Sequence, residues 1–202
     1  MQNMETILGR ARQIILKPKE TWEKVKGEAV TVQELMINFA APLALIPAVA
    51  NLFGLSVVGI RMPAGHLARA PFAEALAAGV VGYVFHLLGI LAVAWVAGLL
   101  APSFNAKGDY ISALKVVVYS MTPVWLLGIF SAFPGLGALQ IFGLYGFYLL
   151  YRGLIVVLET PANRALWYTV LIVIASILIS LLLTVFVGGA VYGPMFMRMM
   201  AV

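Results

Sequence analysis

Beyond about residue 35, the chain alternates between long apolar runs and short polar connections. A helix that crosses a bilayer core of about 30 Å needs roughly 20 apolar residues. The pattern therefore predicts an all-α, polytopic membrane protein, with a bundle of five transmembrane helices and an amphipathic helix before them. The predicted spans cover about 36–60, 74–101, 112–133, 135–158 and 166–191.

The third and fourth spans are separated only by Phe133-Pro134-Gly135. Because Pro-Gly is typical of a tight turn, we expect a helical hairpin whose two arms are antiparallel neighbours. In the alternative arrangement the chain has four spans, and residues 135–158 form a re-entrant segment.

The N-terminal residues 1–35 are predicted to form a cytoplasmic, interfacial segment, and residues 36–202 the transmembrane domain. Apolar residues recur at helical spacing at Met4, Ile7, Leu8, Ala11, Ile14 and Ile15. This pattern predicts an amphipathic helix that ends near Pro18. The helix lies on the inner membrane surface or packs against the cytoplasmic ends of the bundle, and the two arrangements are compatible.

Two further features stand between this helix and the first span. Trp22 is the one large apolar residue in the charged stretch PKETWEKVKGE, and we interpret it as an interfacial anchor. Thr31 and Glu34 have the spacing of a capping box, which predicts that the first membrane helix begins at Thr31.

Composition supports the membrane assignment, because 63% of the residues are hydrophobic and 10% are charged, with a mean hydropathy of +1.02. A water-soluble globule of this composition could not cover its surface with polar groups. The chain has no cysteine and two histidines, His66 and His86, so no metal site and no cofactor are expected. We expect His86, which lies near the centre of a span, to bond to another helix.

The basic residues predict the orientation of the chain. Ten of the thirteen Lys and Arg fall before the first span, around the second connection or around the fourth, and the others are Arg61, Arg69 and Arg198. The positive-inside rule therefore predicts a cytoplasmic N-terminus and an external C-terminus. The net charge is +5, but the cations are scattered between apolar spans, which favours anionic membrane lipids over nucleic acid as partner.

Two cations lie inside the predicted spans, at similar depth in the same leaflet. Lys115 follows Asp109 by about 9 Å of helix, and Arg152 precedes Glu159 by about 10 Å. In one interpretation each side chain reaches the headgroups independently. In the other, Lys115 and Arg152 form a paired basic site for a lipid phosphate or for the carboxylate of Asp109 or Glu159, because the hairpin makes their helices neighbours.

Prolines and small residues predict how the spans bend and pack. Pro123 in the third span and Pro42 and Pro47 in the first predict kinked helices, and Pro123 is either a packing kink or a gating hinge. Small residues at four-residue spacing occur in the second span, at Ala75, Gly79, Ala94 and Gly98. They permit close helix packing within the bundle, or a homo- or hetero-oligomer through helix faces.

Sequence signatures of catalysis are missing: there is no H-E-x-x-H, no G-x-S-x-G, no Walker loop and no pair of aspartates within the spans. Glu74, Asp109 and Glu159 all lie at span ends, so ion-coupled transport lacks its usual acidic groups. An enzyme is therefore not expected.

A set of short motifs marks the third and fourth spans: Tyr119-x-x-Thr122-Pro123, the break at Phe133-Pro134, and Tyr145-Gly146-x-Tyr148-Leu149-Leu150-Tyr151. With these motifs the stretch 108–154 resembles the central region of the Yip family, the Ypt/Rab-interacting membrane proteins, especially its short bacterial inner-membrane members. Eukaryotic members of that family act with Rab-type GTPases and with one another in vesicle formation and membrane shaping.

The chain departs from the eukaryotic pattern, because it lacks a long acidic N-terminal region with an Asp-Leu-Tyr-Gly-Pro motif, and its Val191-Tyr192-Gly193-Pro194 stands at the opposite end. A Rab-type GTPase partner is therefore not expected. The leading hypothesis is a non-enzymatic protein that organises lipids or partner proteins at the inner face of a bacterial or archaeal plasma membrane. The alternative is a transporter or channel for a small solute, and a lipid-modifying enzyme comes third.

Overall fold

The computed structural model describes residues 4–61, 67–189, 193 and 197. The α-helices in these ranges are α1 Met4–Leu16, α2 Pro18–Gly27, α3 Val32–Leu35, α4 Ala41–Phe53, α5 Phe72–Leu100, α6 Tyr110–Ser120, α7 Thr122–Leu127, α8 Tyr145–Val156 and α9 Ala162–Val187. Strands β1 Ile60–Arg61 and β2 Leu67–Ala68 form a short antiparallel pair between α4 and α5. The predicted all-α class is confirmed, with this two-residue ladder as a minor addition.

Within the described residues, five helical stretches are long and apolar enough to cross a membrane, as predicted. They run over Val32–Val58, Phe72–Phe104, Tyr110–Ala132, Gly135–Val156 and Ala162–Phe186. The protein is therefore an integral membrane protein. Residues 190–191 of the predicted fifth span, together with His66, Arg198 and most of the Val191–Pro194 motif, lie outside the described residues.

The first span begins as predicted and then departs from regular α-helix. Thr31 accepts a hydrogen bond from the Glu34 backbone N–H through its Oγ1, at 3.1 Å, and the Thr31 N–H donates to the Glu34 carboxylate at 2.9 Å. A π-helical turn, Met36–Ala40, comes just before Pro42. Such single widened turns are a recognised cause of helix bending, as prolines are. Pro47 lies inside α4.

The third span is divided at Met121, the residue between α6 and α7. Pro123 occupies the second position of α7, where its missing N–H costs no hydrogen bond. The Met121 N–H is shared between the carbonyls of Val117 and Val118, each at 3.2 Å. The span is thus two short helices in series, and the proline stands at the start of the second.

The fourth span differs from the regular α-helix expected over 135–158. An eleven-residue 3₁₀-helix, Pro134–Leu144, forms the start of the span, and α8 begins only at Tyr145. This segment contains Gly135, Gly137 and Gly143, and glycine destabilises an α-helix relative to alanine. A 3₁₀-helix rises about 2.0 Å per residue against about 1.5 Å, so the segment covers more depth per residue than an α-helix would.

The expected contact between spans three and four is observed, since α6 packs against α8 and α7 against the 3₁₀ segment. At Gly146 a Cβ atom would lie 2.7 Å from the Ser120 carbonyl oxygen, so the two backbones touch there. Spans one and three are equally close. A Cβ at Gly128 would lie 2.5 Å from the Pro47 Cβ, and one at Gly54 would lie 2.7 Å from the Ser131 carbonyl oxygen.

Candidate functional site at the N-terminal helices

Helix α1 packs on the bundle through one face and leaves the other exposed. Ala11 and Ile14 are 1% and 0% exposed, and the Tyr145 hydroxyl donates to the Ile15 carbonyl at 3.0 Å. Leu8 and Leu16 remain 54% and 64% exposed. Packing against the bundle, one of the two predicted arrangements, is therefore confirmed. We call the end of the bundle that carries α1 and α2 the near end, and the opposite end the far end.

Trp22 belongs to the core, so the prediction of an interfacial anchor is wrong. Its side chain is fully buried, and it meets the ring of Tyr119 edge-on, with 6.1 Å between centroids. Room for the indole comes from Gly153 in α8, where a Cβ would lie 2.9 Å from the indole Cζ2. The local sequence around Trp22 is charged and gives no sign of this distant glycine.

Lys115 binds α2 instead of reaching the headgroups. The side chain is 5% exposed, and its Nζ donates to the carbonyl oxygens of Val25 at 3.1 Å and Glu28 at 2.5 Å. These carbonyls lie at the C-terminal end of α2, where helix carbonyls lack internal partners and favour a cation. The interpretation in which Lys115 reaches the headgroups independently is therefore wrong, because its ammonium group is hydrogen-bonded to the C-terminal end of α2.

Arg152 directly precedes Gly153, the glycine that contacts the indole of Trp22. Its Nε is buried without a hydrogen-bond partner, and no ion pair of Arg152 is found within the described ranges. The two cations thus have different surroundings, one held by carbonyls and one not. A lipid phosphate shared by Lys115 and Arg152 stays a prediction.

Glu159 connects α2 to two loops of the bundle. Its carboxylate contacts the ammonium of Lys107 at 2.6 Å and that of Lys26 at 3.0 Å. Hydrogen bonds from Lys107 and Lys26 lower the pKa of Glu159, because they stabilise its charged form. Arg164 bonds the Asn105 side chain at 3.3 Å nearby. The near end therefore gathers basic residues from the N-terminal segment and from both connections that the orientation argument assigned to one side.

A second ion pair holds α1 to the segment after α2. The Arg10 guanidinium donates to Glu28 at 2.6 Å and lies 6.0 Å from the ring centroid of Tyr119. Tyr119 in turn packs against Phe39, with ring centroids 4.6 Å apart. A polar cavity of about 270 Å³ adjoins these groups and is also lined by Glu34.

Several residues of the sequence motif lie where helices meet. Tyr119 and Thr122 are buried in the third span, and Tyr145 bonds α1. Gly146 gives the backbone contact described above. Tyr148 is 46% exposed and lies 5.4 Å from the ring of Tyr145. Tyr151 is partly exposed on α8.

Sequence reasoning did not single out Arg10, Lys26 and Glu28, which fix the N-terminal helices. Each is a charged residue in a charged stretch, and the local pattern does not distinguish a paired charge from a solvated one. A weak signal existed for Lys115, because a cation inside an apolar run needs a partner. Its partner, a helix end about ninety residues earlier, could not be read from spacing.

The fold and the near-end contacts define a polytopic α-helical membrane protein whose N-terminal helices are fastened to its bundle. Residues 12–197 match the Yip1 domain, and the chain belongs to the Yip family. The resemblance inferred from the motifs of spans three and four is thereby confirmed over almost the whole chain. Neither a curated protein nor a solved structure gave a match.

Proposed function

We propose that the protein is a non-enzymatic organiser of anionic lipids, or of partner proteins, at the inner face of a prokaryotic plasma membrane. The observation that carries this proposal is the exposed face of α1. Leu8 and Leu16 project from a helix that the bundle holds in place, and Arg12, Lys17 and Lys19 are exposed on or just beyond it. We call these five residues the α1 surface.

The α1 surface combines the two interactions that hold an amphipathic helix at a membrane. The free energy falls when exposed leucine side chains enter the boundary between headgroups and acyl chains. Each basic residue near an anionic leaflet adds about 1 kcal/mol. Because Tyr145 anchors α1 to the bundle and Arg10 anchors it to the segment after α2, α1 would hold these groups beside the spans and concentrate anionic lipid there.

The proposal includes a cytoplasmic N-terminus. Lys26, Lys107 and Arg164 come from three separate segments and all lie at the near end. A cluster of basic residues at one end supports the positive-inside assignment of that end.

The test measures lipid selectivity in vesicles of phosphatidylcholine and phosphatidylglycerol. Spin-labelled lipids report how strongly the reconstituted protein prefers the anionic lipid in its first shell. Replacing Arg12, Lys17 and Lys19 with Gln should remove most of this preference, and replacing Leu8 and Leu16 with Gln should weaken it. The matched control is Arg69→Gln, which removes an exposed cation from the segment before α5 and should lower the preference much less than the triple variant does. Equal selectivity in all variants would refute the proposal.

A further inference from the structure

A second cavity lies between spans one, two, three and four, away from the N-terminal helices. Its volume is about 400 Å³. The polar residues that line it are Asn51, Tyr83, His86, Trp125, Ser131 and Gln140. Space for it exists partly because the second span carries Gly79, where a Cβ would meet nothing within 4 Å.

Most of these polar groups already have partners. The Trp125 indole N–H donates to His86 Nε2 at 2.9 Å, which confirms the expectation that this histidine bonds another helix. The Tyr83 hydroxyl donates to the Ala41 carbonyl at 2.9 Å, and the Ser131 hydroxyl donates to the Gly128 carbonyl at 2.7 Å. Each of these bonds holds a lining side chain in place.

Asn51 and Gln140 are different, because neither side chain forms a hydrogen bond with any other described residue. Both side chains are exposed. Asn51 precedes the far end of its span by seven residues, about 10 Å of helix. Gln140 follows the far end of its span by five residues of 3₁₀-helix, again about 10 Å. Two carboxamides on different helices therefore face one cavity at matching depth.

An unpaired amide in the apolar part of a membrane is costly, because lipid chains offer it no hydrogen bond. Each carboxamide has two donor hydrogens and an acceptor oxygen, so the pair presents both kinds of group to a ligand. Among the residues that the structure describes, the lining contains no Asp, Glu, Lys or Arg. A charged ligand would have no counter-charge there and would lose its hydration, so the chemistry selects an uncharged ligand.

We propose that this cavity binds the glycerol unit of an uncharged lipid, such as a diacylglycerol, through hydrogen bonds from Asn51 and Gln140 to its hydroxyl and ester oxygens. The volume of about 400 Å³ lies within the range of ligand pockets and suits a small polar unit whose acyl chains extend into the bilayer. A free polyol from the far-side solution has the same chemistry. This site is separate from the α1 surface and does not depend on the function proposed for it.

The test uses the full chain, reconstituted in phosphatidylcholine vesicles that contain a small fraction of diacylglycerol. After gentle detergent extraction, native mass spectrometry counts the diacylglycerol retained by each protein. Asn51→Leu and Gln140→Leu should each lower retention by about 2- to 10-fold, the loss expected for removing one or two hydrogen bonds. Gly79→Leu keeps both amides and should also lower retention, because its side chain occupies the cavity.

The matched control is Asn38→Leu, the same substitution in the same span but near the other end, beside the near-end cavity. It should leave retention unchanged. Thermal unfolding of every variant is measured alongside. We expect Asn51→Leu and Gln140→Leu to be as stable as the parent, because neither substitution removes a hydrogen bond to another described residue. Phosphatidic acid, which has the same glycerol unit with a phosphate, should be retained less well than diacylglycerol.

Competition with free glycerol shows whether the ligand is a membrane lipid or a soluble polyol. If glycerol displaces diacylglycerol, or if glycerol alone binds and Asn51→Leu abolishes that binding, the ligand is a soluble polyol. The hydrogen bonds from Asn51 and Gln140 would then still account for its recognition. Failure of the parent protein to retain diacylglycerol or to bind glycerol overturns the proposal. Equal retention by the parent, Asn51→Leu, Gln140→Leu and Gly79→Leu overturns it as well.

Discussion

The ammonium of Lys115 lies 2.5 Å from the carbonyl oxygen of Glu28, a residue 87 positions earlier in the chain. A cation in the third span thereby completes the C-terminal end of α2, a helix that precedes the first span. The position of the N-terminal helices thus depends on a residue of the transmembrane bundle.

Lys115→Met should loosen α2 while the bundle stays folded. The substitution keeps much of the apolar length of the side chain but removes two charge-assisted hydrogen bonds, a loss of roughly 1–3 kcal/mol. Residues around α2 should become more sensitive to a non-specific protease in detergent. Lys24→Met is the control, since Lys24 is exposed on the same helix. Identical digestion of the two variants would mean that Lys115 does not hold α2.

Gly153→Ala should destabilise the near end, because its Cβ would lie 2.9 Å from the buried indole of Trp22. Overpacking of this kind costs about 1–3 kcal/mol. Gly9→Ala is the matched control, a helical glycine with nothing within 4 Å, and it should be neutral or stabilising. Thermal unfolding followed by tryptophan fluorescence measures both. Combining Gly153→Ala with Trp22→Phe should restore part of the lost stability.

Glu159 should titrate below the ordinary range of a glutamate, because Lys107 and Lys26 lower its pKa. A carboxyl group with a lowered folded-state pKa stabilises the fold above its unfolded pKa, and that contribution is lost as the pH falls through the folded value. In Glu159→Gln, the contact between α2 and the loops should no longer weaken as the pH falls through that range. Carbon-13 labelling of glutamate, with NMR detection, follows the titration. An ordinary pKa in the parent protein would contradict the bridging role.

The orientation can be tested with reporter fusions after Met36 and at Val202. The distribution of basic residues predicts a cytoplasmic signal for the first fusion and an external signal for the second. Arg164→Glu provides a sensitised variant, since it removes one of the cations on which the rule depends. Reporters that both respond on the same side would contradict five spans and favour the four-span arrangement.

The five spans were predictable because each needs only a local run of apolar residues. The capping box of Thr31 and Glu34 was predictable for the same reason, since its two partners are three residues apart. The burial of Trp22 and the bonding of Lys115 were not, because each depends on a partner from a distant helix. The 3₁₀ conformation of Pro134–Leu144 was also missed, since apolar periodicity does not separate it from an α-helix over so short a stretch.

The glycine contacts between spans one and three have a mechanical consequence. Gly128 contacts the ring of Pro47, and Gly54 contacts the backbone carbonyl of Ser131, so the two helices are in close contact at two levels. A pair fastened at one point could pivot, but a pair fastened at two can neither slide nor turn without a steric clash. Any opening of the bundle should therefore leave spans one and three together as one unit and come from movement of the other spans around them.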